Sequence, residues 1–158
     1  MRILVLSDTH GNMDYTFLNK IKKHGKFDML VHCGDCCKDV KSILKETNID
    51  EYINVNGNCD IHNEANDSEK IIVDGKNIII THGHIFGVKK NLEELKNYAE
   101  GENADIVFFG HTHKSFSQYF NNILYFNPGS ACLPTYGTYS YGIVTIENGQ
   151  VFDEIIEW

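Results

Sequence analysis

A chain of 158 residues with 42% apolar and 23% charged side chains has the size and balance of one globular domain built on one core, residues 1–158, which excludes a disordered or fibrous protein. Its formal charge of −8 argues against a long nucleic acid as partner, because such binding needs a dense set of Lys and Arg facing phosphates. No apolar run reaches the roughly 18 residues that cross a bilayer. Met1 leads straight into the strand-like RILVLS without a signal-peptide layout, so the expectation is a cytoplasmic protein with no membrane partner.

In chain order, RILVLS (2–7) is a short apolar run suited to a strand buried on both faces, and MDYTFLNKIKKH (13–24) places Phe17, Leu18 and Ile21 at helical spacing. FDMLVHCGD predicts a second buried strand, KDVKSILKE a second amphipathic helix and EYINVNGN a third strand. This alternation implies parallel pairing through right-handed crossovers, with functional loops at the carboxyl ends of the strands. EKIIVDGKNIIITHG predicts a hairpin turning at Asp74-Gly75, NLEELKNYAE a helix and ADIVFFG a strand. Two more hairpins are expected, turning at Asn121-Asn122 and at Asn148-Gly149. The pattern suggests two mixed sheets packed face to face with helices outside.

Five cysteines, Cys33, Cys36, Cys37, Cys59 and Cys132, favour reduced thiols over a disulfide framework. Cys33 and Cys36 have the spacing of a zinc or redox pair, but a structural zinc site needs a second pair, which the sequence lacks.

Chemistry gathers just beyond the apolar runs. SDTHGN carries Asp8 and His10, HCGD carries Asp35, NGNCD carries Asn58, THGH carries His82, and FFGHTH carries His111 and His113. Taken singly, such residues cap helices or make turns. Together, two carboxylates, one amide oxygen and four imidazoles at five strand ends are explained at once by a transition-metal centre, since this mixture suits Mn, Fe, Zn or Ni better than a Mg or Ca cage. In an extended segment, His111 and His113 would stand roughly 6.5–7 Å apart on one face. That separation suits one imidazole on each of two ions about 3.5–4 Å apart.

SDTHGN, GD, GNCD, THGH, GHTH and the later NPGS stand in the order seen in calcineurin-like metallophosphoesterases, and the set resembles most the small single-domain phosphodiesterases of that family, over residues 1 to about 134. The resemblance implies an α/β fold: a four-layer αββα sandwich, two mixed β-sheets packed face to face and flanked by helices. It implies two divalent transition-metal ions per chain, Mn²⁺ first, with Ni²⁺, Fe²⁺ and Zn²⁺ as alternatives. Asp8, His10 and His113 would hold one ion, Asn58, His82 and His111 the other, and Asp35 would bridge them. Two such ions, two carboxylates and a hydroxide leave a net charge of about +1, which attracts a small phosphodiester despite the acidic chain. The implied reaction is hydrolysis of a phosphate diester by a hydroxide bridging the ions.

One departure stands out. Many larger members of the family carry a histidine directly after the metal-binding asparagine, where this chain has Cys59 and then Asp60. His84 is then the nearest group to assist the leaving group, and substrates whose leaving group departs with little protonation are expected to be preferred. Cys59 is not expected to be the nucleophile. Asn12, Cys59, Asp60 and Asn127 are expected to fix loops around the site or to meet substrate. His32 is expected beneath the site, and His24 and His62 on the surface. Tyr136, Tyr139 and Tyr141 would line an entrance or an oligomer contact, or fill a sheet face. Two rival readings accompany the diesterase: a catalytically silent metal-binding scaffold like the retromer subunit of this fold, and a phosphomonoesterase or nucleotide pyrophosphohydrolase on the same centre. Exposed strand edges make a homodimer an additional expectation.

Overall fold

In a computed structural model of the chain, residues 1–13, 15–60, 65–134 and 138–158 are described; His62 and Tyr136 lie outside them. The elements run β1 (Arg2–Leu6), α1 (Tyr15–Lys23), β2 (Met29–His32), α2 (Asp39–Thr47), β3 (Glu51–Asn54), β4 (Ser68–Val73), β5 (Lys76–Thr81), a 3-10 turn (His84–Phe86), α3 (Glu93–Gly101), β6 (Ile106–Phe108), β7 (Ser115–Phe120), β8 (Ile123–Pro128), β9 (Ser140–Glu147) and β10 (Gln150–Glu157). One five-stranded sheet has the order β10-β9-β1-β2-β3 and the other β4-β5-β6-β8-β7. Both are mixed: β1, β2 and β3 pair in parallel, as do β5, β6 and β8, with antiparallel strands outside them.

Alternation along the strands builds the layers. In β1, Ile3 and Val5 face the second sheet and pack with Ile80, Ile106, Phe108 and Phe126. Leu4 and Leu6 point the other way, onto Phe17 and Ile21 of α1 and Ile43 of α2. In the second sheet Val107 points outward and packs with Leu95 and Ala99 of α3. The result is the expected four-layer sandwich. Gly142 lets the sheets close at one point, where an added Cβ would run into the Phe126 ring.

The three predicted hairpin turns form as read, and both central residues of each are left-handed: Asp74 and Gly75 (φ 48° and 78°), Asn121 and Asn122 (48° and 63°), Asn148 and Gly149 (51° and 77°). Two expectations are refined. His24 is half-buried rather than on the surface, its ring 5.8 Å from that of Tyr141. Tyr141 is wholly buried and fills a sheet face, whereas Tyr139 is exposed and stacks on Trp158. Among the described residues, no helix is long and apolar enough to cross a membrane.

Strand register sets up the site. Leu6 is level with His32, and His32 with Asn54; in the other sheet Ile80 is level with Phe108, and Phe108 with Phe126. The parallel strands of each sheet therefore end in line, and the loops that leave them converge.

Candidate metal centre

The seven residues predicted to bind metal all lie on these converging loops, and five of them have left-handed backbones: Asp8 (φ 54°), His10 (49°), Asp35 (58°), His111 (65°) and His113 (57°). Such conformations cost of order 1–3 kcal/mol each outside glycine and persist only where the surroundings impose them, most often at functional sites. His111 and His113 are thus not on an extended segment. Their rings reach different partners because the chain coils left-handed after β6, which corrects the reading from strand pitch.

Asp8, His10, Asp35 and His113 form one cluster, with one ligand atom from each lying within 4.8 Å of the others. His113 Nε2 is 3.0 Å from Asp8 Oδ1 and 3.4 Å from His10 Nε2. His10 Nε2 stands 3.9 Å from Asp8 Oδ1 and 3.6 Å from Asp35 Oδ2. A second group adjoins it. His82 Nε2 is 3.2 Å from His111 Nδ1, 3.3 Å from Asn58 Oδ1 and 3.4 Å from Asp35 Oδ1. Asp35, almost wholly buried, presents one oxygen to each group.

The proton arrangement suits ligation. His82 donates from Nδ1 to the Cys33 carbonyl and His113 from Nδ1 to the Leu133 carbonyl, each at 2.7 Å, so each turns its Nε2 toward the cluster. His111 is held down at about 4 by burial and by neighbouring His82, which keeps its imidazole neutral. Burial pushes the Asp8 carboxyl up, but His113, His82 and Ser7 outweigh it and hold the group below its ordinary value. His113 is raised, chiefly by Asp8.

The two oxygens of Asp8 divide their tasks. Oδ2 accepts from Ser7 Oγ at 2.5 Å and from the His111 amide at 3.1 Å, while Oδ1 is buried and receives no well-aligned hydrogen bond, with His113 Nε2 standing 3.0 Å from it. A buried carboxylate oxygen left bare among imidazole nitrogens has a ready partner in a cation. Two ring nitrogens 3.4 Å apart at one end, and two 3.2 Å apart at the other, likewise face one another across space that a shared positive ion suits. The N- and O-donor set matches transition metals. These residues fit a metal site.

The supporting residues are as ordered as the cluster. Asp60 accepts from four backbone amides, those of Asp35 (3.0 Å), Cys36 (3.0 Å), Cys37 (2.9 Å) and Gly57 (2.8 Å), clamping the Asp35 loop to the Asn58 loop. Burial raises its carboxyl, but these amides prevail and hold it below its ordinary value. Gly34 and Gly57 let the two loops touch: a Cβ on Gly34 would stand 2.7 Å from the Gly57 nitrogen, and one on Gly57 would strike the Asp35 carboxylate. Asn127, fully buried, donates to the Gly110 carbonyl (2.8 Å) and Thr112 Oγ1 (3.1 Å) and accepts from the Gly129 amide (2.9 Å), fixing the GHTH loop.

His32 lies beneath the site as expected. Its Nδ1 accepts from the Gly34 amide at 3.3 Å and its Nε2 meets Thr9 Oγ1 at 3.2 Å; burial pushes it down to about 4, so it stays neutral. Ser7 and Ser130 escaped the sequence reading. Ser130 Oγ donates to the Asp8 carbonyl and accepts from the Leu133 amide, both at 2.8 Å, joining the first loop to the chain that seats His113. Their signal was their place beside motif residues, in SDTH and NPGS.

Around the rim, His84 is half-buried, its ring 5.4 Å from that of His82 and 6.1 Å from that of His111. Burial, and then His82, lower its pKa, and its Nδ1 is buried without a hydrogen bond. Cys59 is exposed; its amide donates to Asp35 Oδ1 at 2.9 Å, and partial burial with Asp35 alongside pushes its thiol up to about 11. Such a thiol is not an activated nucleophile. Asn12 is exposed, and its amide closes a turn onto the Thr9 carbonyl at 3.0 Å.

Comparison with known proteins identifies the family. The calcineurin-like phosphoesterase superfamily domain matches residues 1–149. The chain is 35% identical over 150 residues to the probable metallophosphoesterase YsnB of Bacillus subtilis, covering 94% of this chain and 86% of that protein. It is 27% identical over 169 residues to the phosphodiesterase YfcE of Escherichia coli, covering 91% and 87%. Among solved structures, wild-type Vps29 of Entamoeba histolytica complexed with Zn²⁺ superposes with a TM-score of 0.79 at 25% identity, over 99% of each chain. With its strand-end motifs gathered into one cluster, the chain belongs to the calcineurin-like phosphoesterase superfamily.

Proposed function

We propose that this protein is a metal-dependent phosphodiesterase acting on small diesters, with two divalent ions, Mn²⁺ first among them, seated on either side of Asp35. Asp8, His10 and His113 hold one ion; Asn58, His82 and His111 hold the other. The observation that carries the reading is the division of Asp35, with Oδ2 3.6 Å from His10 and Oδ1 3.4 Å from His82. The phosphodiesterase YfcE among the relatives supports the diester preference.

Bound there, the ions supply Lewis acidity, lowering the pKa of water to near neutral and neutralising charge on the phosphoryl oxygens. The chain does the positioning. Asp8 and Asp35 bring the negative charge that retains two cations, and the carbonyls of Cys33 and Leu133 keep His82 and His113 aimed inward. His84 stands beside the second group with a lowered pKa; as a neutral imidazole it orients the leaving oxygen more than it protonates it. Esters of acidic alcohols, such as nitrophenols, are therefore the favoured substrates.

The test uses chelator-stripped protein assayed on bis(p-nitrophenyl) phosphate and p-nitrophenyl phosphate while Mn²⁺ is titrated in. Diester turnover that requires metal, saturates near two ions per chain and exceeds monoester turnover is expected. Faster monoester turnover would move the assignment to a phosphomonoesterase. The resemblance to Vps29 supports a second reading, a silent metal-binding scaffold, and two bound ions without turnover on either substrate would select it.

A further inference from the structure

Beside the cluster lies a cleft of about 610 Å³ between the loop that follows the 3-10 turn and the segment that follows the GHTH motif. Val88, Leu92, Phe109 and Phe116 form its apolar walls, and Lys89 and Lys114 also line it. The Phe109 and Phe116 rings stand edge to face, 6.1 Å apart. Thr112 belongs to both places: it lines the cleft and sits between His111 and His113. Lys89, which is exposed, is close enough for its charge to bear on both His111 and His113.

We infer that this cleft seats the second ester group of the substrate, the one that is not the leaving group, and that it takes a flat apolar group such as an aryl ring. The inference rests on the phosphodiesterase reading and deepens it by naming the substrate class. Three observations carry it. The cleft adjoins the loop that carries His111 and His113, since Thr112 between them is part of its lining. Its volume falls within the range of small-molecule sites and its walls are predominantly apolar and aromatic. Its lining includes two exposed lysines, Lys89 and Lys114, on a chain of net charge −8, which suits an anionic phosphate joined to an apolar body. Two further cavities lie elsewhere, one of about 300 Å³ between Ile21 and Thr47 and another of about 360 Å³ between Lys70 and Asn103, and neither is lined by a residue of the GHTH motif.

Two diesters that differ only in the second group separate the possibilities. Wild type is expected to cleave bis(p-nitrophenyl) phosphate with a kcat/KM at least about ten times that for methyl p-nitrophenyl phosphate, since a filled apolar pocket discriminates by 10- to 200-fold per small group. Leu92→Trp, which fills the cleft, should remove that preference by lowering only the aryl diester, with methyl diester turnover within about twofold of wild type and an unchanged melting temperature. Calorimetric binding of diphenyl phosphate against dimethyl phosphate to the Mn²⁺-loaded protein provides a readout independent of turnover. Diphenyl phosphate bound more tightly by wild type, with the difference erased in Leu92→Trp, supports the cleft even where no diester is cleaved, so a failed diesterase reading is told apart from a failed cleft. Equal affinity for the two phosphates, or a parallel fall of both diesters in the variant, overturns the inference.

Discussion

The two sheets contribute unlike halves to the centre. The first, through the loops after β1, β2 and β3, brings the oxygen donors Asp8, Asp35 and Asn58, with His10 as its single imidazole; the second, through the loops after β5 and β6, brings His82, His111 and His113 and no carboxylate. The halves are also held differently. On the first side one carboxylate, Asp60, gathers four amides. On the second, an amide side chain, Asn127, fixes the loop, and ring N–H groups bonded to carbonyls aim two of the imidazoles. Negative charge thus comes from one sheet and oriented imidazole nitrogen from the other, so the site exists only where the sandwich closes and depends on sheet packing as much as on its own ligands.

Substitutions on each side sharpen that contrast. The largest effect is expected for Asp35→Asn, which removes the charge between the two groups: turnover should fall by about a thousandfold or more and metal content should drop, as read by diester assay and metal analysis. Near-normal activity would refute a shared carboxylate. Asp60→Ala comes next. It leaves four backbone amides without their acceptor and should lower metal affinity and activity by roughly 10- to 100-fold, with a measurable loss of melting temperature. Asn127→Ala should cost a similar factor in activity, but its damage falls on the histidine loop; NMR of the imidazole ring resonances would show His111 and His113 perturbed with His10 spared, whereas Asp60→Ala should leave those two rings alone. The smallest effect is expected for Cys59→Ala, whose activity should stay within about twofold of wild type because a thiol pushed up to about 11 is not the nucleophile. A dead variant with full metal content would reverse that conclusion.

The same asymmetry explains what could be read from the sequence. The hairpin turns were legible because Asp-Gly, Asn-Asn and Asn-Gly are residues that accept left-handed backbones, and the buried strands because Ile3 to Leu6 and Ile106 to Phe108 are unbroken apolar runs. The cluster residues were legible because polar side chains stood at the ends of those runs. The path that brings His111 and His113 to separate partners was not, since nothing in Gly-His-Thr-His announces positive φ at both histidines. Nor did periodicity show that β6 would lie between β5 and β8, because order within a sheet is decided by long-range packing. Asp60 was legible only as a neighbour of Asn58; its role depends on four amides from two loops meeting in space. His24 read as a surface histidine because its contact, the Tyr141 ring, lies more than a hundred residues away in the chain.

The central claim, two ions astride Asp35, is tested most directly by crystallising the Mn²⁺-loaded protein and locating the metal by anomalous scattering. Two peaks about 3.5–4 Å apart, one among Asp8, His10 and His113 and one among Asn58, His82 and His111, with an Asp35 oxygen on each, is the predicted result. A single peak, or a second ion held away from Asp35, would contradict it.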